Sequence, residues 1–239
     1  MYDLLVIGAG VAGYTAAIRA AKEGLKTAVV EAGDIGGTCL NRGCIPTKYM
    51  LAQSHKYRSL QQSLKGKQYE GTLFVQYENI RDEVALKVGR LSSGIKSLFH
   101  ANDIDVYGDR AEFVNENMVV LCGCQKRLQA RSIVIATGSS PRMLPVYVKE
   151  EEVTNLGRCE NIFTTDNIFT GLGRIPESVI ILGGGAVGLE FAFIFSGFGS
   201  KVTVIEGRTA LFEDRDIDTA LFRGMKQNNI EFKGGYVVG

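Results

Sequence analysis

The sequence predicts an α/β fold made of two units built on one plan, each a parallel sheet flanked by helices. Two observations carry that prediction. Short continuous apolar runs lead at once into glycine-rich turns, then into helical stretches, then into a second apolar run ending on an acid. The whole pattern recurs at an offset of 175 residues, which places Gly8, Gly10, Gly13, Ala17, Gly24, Lys26, Val29 and Glu31 on identical residues.

Leu4 to Ile7 reads as a parallel strand buried on both faces. Gly8-Ala9-Gly10-Val11-Ala12-Gly13 follows directly, and Tyr14 to Glu23 is an Ala-rich helix stopped by Gly24. Lys26 to Val30 is a second strand, ending on Glu31. This is a βαβ unit with a dinucleotide-binding fingerprint. Gly8 makes the tight turn, Gly10 lets a pyrophosphate approach the backbone, and Gly13 lets helix and strand pack closely. The helix start supplies oriented N–H donors for the phosphates. Glu31 stands eighteen residues past Gly13, where a carboxylate accepts bonds from a ribose diol.

The second copy runs through the strand Val179 to Leu182, the turn Gly183, Gly185 and Gly188, the apolar helix Leu189 to Phe198 and the strand Lys201 to Ile205, ending on Glu206. Two matched fingerprints predict two dinucleotides. A carboxylate at the ribose repels a 2′-phosphate, so Glu206 favours NAD over NADP at the second site.

Between the copies, Ile45 to Leu64 and Asn79 to Phe99 read as helices. In the latter, Ile80, Val84, Val88, Leu91, Ile95 and Leu98 recur at three or four residues and predict one buried face. Ile104 to Tyr107, Ala111 to Val114 and Met118 to Leu121 predict a β-meander. Ser132 to Ala136 is a further buried strand, closed by Thr137-Gly138-Ser139, where Gly138 permits a close backbone approach. Pro141 to Asp166, with Pro145 and the charge run 149–152, is the expected boundary. The domains are therefore expected at 1–145 and 146–239. After Glu206 the sequence offers a helix from Ile217 to Gln227 and a strand from Ile230 to Phe232, so the second domain is expected to be incomplete.

Composition removes several classes of function. A formal net charge of +1 with scattered Lys and Arg gives no footprint for nucleic acid, and no basic run suits a membrane surface. The stretch from Val179 to Phe198 is apolar but carries five glycines and Glu190, which argues against a membrane span. Leu4 to Ile7 is too short for a signal-peptide core. Five cysteines in 239 residues do not make an extracellular disulfide framework, so a reducing cytoplasm is expected.

In that setting the pair Cys39 and Cys44, within Gly36-Gly37-Thr38-Cys39-Leu40-Asn41-Arg42-Gly43-Cys44-Ile45-Pro46-Thr47-Lys48, points to chemistry. The spacing brings two thiols within about one helical turn, with Gly43 and Pro46 permitting distortion. Such a dithiol stores two electrons. A soft-metal site is the other reading, but the spacing fits no common zinc pattern and no second Cys or His pair lies nearby, so no metal is expected.

With both fingerprints and the motif in hand, the chain resembles the flavoprotein pyridine nucleotide-disulfide oxidoreductases. Leu40, Ile45 and Thr47 resemble the branch that oxidises dihydrolipoyl groups with NAD. The resemblance covers the whole chain but only about the first half of a family member. It implies that Gly8, Gly10, Gly13 and Glu31 bind the ADP half of FAD, with Gly37 and Thr38 along it. It implies Cys44 as the charge-transfer thiol against the flavin and Cys39 as the interchange thiol that meets the substrate. Lys48 would lie near the flavin, ion-paired with Glu190. Ala111 would touch the adenine, and Thr137, Gly138 and Ser139 would close over the flavin. Gly183, Gly185, Gly188, Glu190, Glu206 and Val238 would hold NAD. The implied partners are a lipoyl-bearing protein or a small disulfide, and a second copy in a homodimer.

The family's later flavin segment and its dimerisation domain, with the His–Glu pair that serves as acid and base, have no match in these residues. His55 and His100 are expected to be surface or interface helix residues, and Cys122 and Cys124 packing residues on a meander strand; Cys159 matches nothing in the motif. The alternative to a working oxidoreductase is therefore a fragment that holds FAD or NAD without turnover.

Overall fold

The computed structural model describes residues 1–66, 69–142, 146–148, 151–153, 161–212 and 214–235. Two compact units emerge: Met1–Pro46 with Val84–Ser140, and Thr47–Glu83 with Pro141–Gly239. Cys159, Val238 and much of the expected boundary, Pro145 included, lie outside the described residues.

In the first unit β1 (Tyr2–Ile7) lies between β2 (Thr27–Glu31) and β6 (Arg127–Ile135), parallel to both. The sheet continues on one side to β3 (Asp105–Gly108) and on the other through β5 (Met118–Leu121) to β4 (Ala111–Asn115), in the order β3-β2-β1-β6-β5-β4. Helix α1 (Val11–Lys22) makes the crossover between β1 and β2, and Gly24 at φ +81 ends it in a left-handed turn. The centre is dry. On one face Val6, Ala17 and Val29 pack with Ile95, Phe99 and Ile104; on the other, Leu5, Ala28 and Val30 pack with Val119, Leu121 and Leu128. Each Val, Leu, Ile or Phe among them contributes about 1.5–3 kcal/mol by leaving water.

Two expectations change. The strand near Ile104 is β3, which pairs in parallel with β2 and does not belong to the meander. The antiparallel meander is β4-β5-β6, because β6 starts at Arg127, upstream of Ser132. One strand therefore serves two partners: Arg127 to Gln129 runs antiparallel to β5, and from Ala130 on it runs parallel to β1. The alternation of buried Leu128 and Ala130 with exposed neighbours is what extends it.

Helices α2 (Gly37–Asn41), α3 (Cys44–Lys65) and α4 (Tyr77–Ala101) join the repeats. On α4 the buried positions are Tyr77, Val84, Ile95 and Phe99, with Val88 partly buried. Leu91 and Leu98, expected inside, are nearly half exposed because they lie at the edge of that stripe, one residue short of Ser92 and Phe99. Cys122 and Cys124 also depart from expectation. They fall in the turn after β5, where Asp109 accepts the amides of Gly123 at 3.0 Å and Cys124 at 3.3 Å. Cys124 is exposed there.

The second unit has a three-stranded parallel sheet, β9 (Ser178–Leu182), β10 (Lys201–Glu206) and β11 (Ile230–Gly234), in the order β11-β10-β9. A hairpin, β7 (Val146–Val148) and β8 (Glu151–Val153), pairs separately. Helices α5 (Ile168–Gly171), α6 (Ala186–Gly197) and α7 (Arg215–Gln227) complete it. Asp214 caps α7 by accepting the amides of Asp216 and Ile217. Residues of α3 from Thr47 onward belong to this unit and cross α6 at a small-residue contact, where a Cβ on Gly197 would lie 2.9 Å from Ser54 Oγ. Among the described residues, no helix is long and apolar enough to cross a membrane.

Candidate functional site

The fingerprint turn of the first unit is built by steric necessity. Gly8 takes φ +101, and a Cβ there would lie 2.2 Å from the Ala136 carbonyl oxygen. A Cβ on Gly13 would lie 1.8 Å from the Gly8 carbonyl oxygen, so no other residue lets α1 start this close to β1. Gly10 caps α1 in extended backbone and contributes no side chain to cover the helix start. Glu31, at the end of β2, accepts the Ala9 amide at 2.5 Å and the Gly33 amide at 2.8 Å. The carboxylate is thus fixed beside the turn.

The dithiol segment is braced on this turn. The Gly36 amide donates to the Ala9 carbonyl at 2.9 Å, and a Cβ on Gly37 would lie 2.6 Å from the Gly10 Cα. Both glycines have left-handed backbones, at φ +109 and +62. Asn41 clamps the short helix by donating from Nδ2 to the carbonyls of Gly37, Ile35 and Asp34 at 3.0–3.3 Å. Gly43 is needed for closeness, since a Cβ there would lie 3.0 Å from the Thr38 carbonyl oxygen and 3.2 Å from the Cys39 Cα. Its φ is not left-handed, so closeness and not unusual torsion explains this glycine. Cys39 lies on α2 and Cys44 opens α3, with Cys44 exposed and Cys39 half-buried. Pro46 falls in the first turn of α3, where a missing amide costs nothing.

Thr137, Gly138 and Ser139 leave β6 beside Gly8, the Thr137 nitrogen being 3.1 Å from the position a Gly8 Cβ would take. All three are exposed and Gly138 takes φ +71. Ala111 is partly buried against the cluster that contains Ile7, the end of β1, and Val30 of β2.

The second fingerprint repeats the geometry. Gly183 takes φ +102, Gly185 caps α6 in the same extended backbone as Gly10, and a Cβ on Gly188 would lie 2.1 Å from the Gly183 carbonyl oxygen. Glu206 accepts the Gly184 amide at 2.7 Å and the Arg208 amide at 3.2 Å, and the Arg208 guanidinium stands 3.8 Å away. The Gly184 amide first, then that of Arg208, holds the Glu206 carboxyl below its ordinary range. Lys48 on α3 and Glu190 on α6 form an ion pair at 2.5 Å.

The first unit therefore brings together Gly8, Gly10, Gly13, Glu31, Gly37, Thr137 and Gly138. The second brings together Gly183, Gly185, Gly188 and Glu206, and separately Lys48 with Glu190. Sequence reasoning missed the amides of Ala9 and Gly184, which aim the two acids, and the side chain of Arg208. The 175-residue offset held the signal for both, since Ala9 falls on Gly184 and Gly33 on Arg208. His55 and His100 are exposed on α3 and α4. Among the described residues, no group of three or more His, Cys, Asp or Glu is placed to hold a metal ion.

Two βαβ units with the same glycine turn and the same amide-held acid, one of them carrying a braced cysteine pair, define a dinucleotide-binding α/β protein of the Rossmann type. The family described as "Pyridine nucleotide-disulphide oxidoreductase" matches residues 2–239, and the chain belongs to that family. A dihydrolipoyl dehydrogenase of Acholeplasma laidlawii is 34% identical over 233 residues, covering 96% of this chain and 67% of the relative. That of Bacillus subtilis (strain 168) is 34% identical over 247 residues, covering 98% of this chain and 50% of the relative. Among solved structures, the HOCl-induced flavoprotein disulfide reductase RclA from Escherichia coli aligns with a TM-score of 0.81 at 27% identity, over 99% of this chain and 49% of that one. The chain thus spans about half the length of most of these relatives.

Proposed function

We propose that this chain is the nucleotide-binding and dithiol portion of an FAD- and NAD-dependent oxidoreductase that oxidises dihydrolipoyl groups. Residues 1–145 would hold FAD and 146–239 would hold NAD. The observation that carries the reading is the brace between the cysteine segment and the first fingerprint: Gly36 on Ala9, and Gly37 against Gly10. A dithiol fixed to a dinucleotide turn would be able to exchange electrons with a redox nucleotide held there. The relatives named as dihydrolipoyl dehydrogenases support the substrate class.

The residues fit FAD by the absence of side chains at Gly8, Gly10 and Gly13 and by a fixed acceptor in Glu31. Bound FAD would supply the two-electron chemistry that links a thiol pair to the nicotinamide. Thr38, with Thr137, Gly138 and Ser139, would line the bound group, and Ala111 its adenine. In the oxidised chain a substrate thiolate attacks Cys39 Sγ, the Cys39–Cys44 bond breaks, and Cys44 leaves with the electron pair as a thiolate. The second substrate thiolate then closes the substrate disulfide and releases Cys39, which takes up a proton. Two electrons have moved from the substrate to the cysteine pair. Lys48, held by Glu190, would supply positive charge to the site. Glu206 would accept the ribose hydroxyl of NAD, with Gly183, Gly185, Gly188 and Val238 around it.

A second reading is binding without turnover. It is favoured by the two histidines of the chain being exposed helix residues, which leaves the proton of the substrate thiol without a dedicated base among the described residues. In the family the partner would be a second copy or a lipoyl-bearing protein.

The experiment is reconstitution of the purified chain with FAD, followed by addition of dihydrolipoamide and NAD. The proposal expects a yellow protein whose Cys39 and Cys44 are reduced by dihydrolipoamide, with NADH formed. Reduction of the pair without NADH supports the binding-only reading. A colourless preparation that cannot take up FAD overturns the claim that this chain alone builds the flavin site, and with it the oxidoreductase reading.

A further inference from the structure

A second pair of thiols stands outside the sites described so far. Cys122 and Cys124 flank Gly123 in the turn that joins β5 to β6, with Cys124 exposed and Cys122 half-buried. Neither is a buried residue, so core packing does not explain them. We propose that they are a second exchange dithiol, in which Cys124 attacks a small organic disulfide and Cys122 resolves the product, leaving a Cys122–Cys124 disulfide. The inference is independent of the flavin and nicotinamide readings.

The turn is held in shape by its backbone. The Gln125 amide donates to the Leu121 carbonyl at 2.8 Å, and the Leu121 amide donates to the Lys126 carbonyl at 2.9 Å. The Cys122 amide is tied to the Arg110 carbonyl at 2.8 Å. Asp109 holds the other side, accepting the amides of Arg110 at 2.7 Å and Gly123 at 3.0 Å as well as that of Cys124. The Gly123 amide first, then those of Arg110 and Cys124, keeps the Asp109 carboxyl below its ordinary range, so the brace is ionised at neutral pH. A Cβ on Gly123 would crowd that carboxylate, 3.1 Å from Oδ2. A turn closed by a bond four residues back has helical spacing, which sets Cα atoms two residues apart at about 5.4 Å. That lies inside the range of about 4.4–6.8 Å that a disulfide spans.

The two thiols differ as an attacking and a resolving sulfur must. Exposure makes Cys124 the one that meets a reagent. Partial burial first, then the Glu112 carboxylate, pushes the Cys122 thiol up, so it reacts slowly with anything not already beside it. The Cys124 thiolate attacks one sulfur of the small disulfide, that S–S bond breaks, and one thiolate leaves and takes up a proton. The Cys122 thiolate then attacks Cys124 Sγ, and the second thiolate leaves and takes up a proton. The cysteines lose two electrons and two protons, and the small disulfide gains them. This pair does not serve the first one. The nine residues of β6, at about 3.3 Å each, separate its turn from the Gly8 end of the sheet, where Cys39 and Cys44 are braced.

The test is peptide mapping of the full chain, reduced beforehand, exposed to glutathione disulfide and then alkylated. Cleavage after Arg110 and Lys126 frees the peptide 111–126, which carries Cys122 and Cys124 and no other cysteine. In the wild type this peptide should lose both alkylation sites, lighten by two hydrogens and carry no glutathione. Cys122→Ser should stop one step earlier, with glutathione retained on Cys124. Cys124→Ser should take up glutathione at least about tenfold more slowly than Cys122→Ser, because the remaining thiol is half-buried and the weaker acid. A wild-type peptide that stays reduced, retains glutathione, or is joined to a different cysteine overturns the inference. So does a Cys124→Ser chain that reacts as fast as Cys122→Ser. In urea the two variants should react alike, and a difference that persists there also overturns it.

Discussion

Gly37 rests against Gly10 so closely that a Cβ on Gly37 would lie 2.6 Å from the Gly10 Cα. The contact joins the cysteine motif to the dinucleotide fingerprint, two features that are separate in the sequence. It accounts for a glycine at each position, since Gly37 also takes φ +62.

Gly37→Ala should therefore fail on both counts. The left-handed backbone costs about 1–2 kcal/mol with a Cβ, and the overlap forces α2 away from the turn. FAD retention should fall at least tenfold while 5′-AMP-type binding in the second unit is kept. Flavin absorbance per protein after gel filtration measures it; an unchanged ratio would show that the brace is dispensable.

Gly188→Ala makes the parallel test in the second unit. The added Cβ would lie 2.1 Å from the Gly183 carbonyl oxygen, and overpacking of that kind costs about 1–3 kcal/mol. NADH affinity should drop by an order of magnitude or more, with the flavin content unaltered. Equal loss of flavin would mean that the two turns are not independent sites.

Glu206 gives a pH dependence with a definite sign. Its carboxyl is held below the ordinary value of 4.5 by the Gly184 amide and then the Arg208 amide, so the unfolded chain binds the proton more readily. Its contribution to stability is complete above about pH 4.5 and is lost as the pH falls through the lower folded value. Glu206→Gln should be less stable at pH 7 by up to about 1.5–3 kcal/mol, the worth of a hydrogen bond to a charged group. It should also lose less on acidification to pH 3, as read from denaturant midpoints. Identical acid sensitivity in the two proteins would exclude this carboxylate as the responsible group.

The Lys48–Glu190 pair should matter little to folding. Lys48 is 58% exposed, and pairs of that exposure contribute about 0.2–1 kcal/mol. A double-mutant cycle with Lys48→Gln and Glu190→Gln should return a coupling in that range. A coupling of several kcal/mol would make the pair a structural keystone.

Much of this was legible in the chain. The apolar runs around Val6 and Val204 and the glycines at fixed offsets give the βαβ units directly, because burial and close approach act through a few neighbouring residues. The cysteine motif was legible for the same reason. What escaped depended on partners far away in sequence. β3 pairs with β2 across more than seventy residues, and β6 divides itself between β1 and β5, neither of which leaves a local pattern. Leu91 and Leu98 satisfy the helical period yet sit at the edge of the buried stripe, since periodicity gives a face but not its width. The amides that aim Glu31 and Glu206 carry no side-chain signature, and only the fold places Ala9 and Gly184 against them.

The most direct measurement of the central claim, a cysteine pair serving the flavin site, is the visible spectrum of the FAD-reconstituted chain in three forms. Wild type should gain a long-wavelength charge-transfer band on two-electron reduction. Cys39→Ser should carry that band before any reductant is added, because the Cys44 thiolate is left without a disulfide partner. Cys44→Ser should never develop it. A band that persists in Cys44→Ser, or spectra that are identical in all three, would contradict the assignment of Cys44 to the flavin and Cys39 to the substrate.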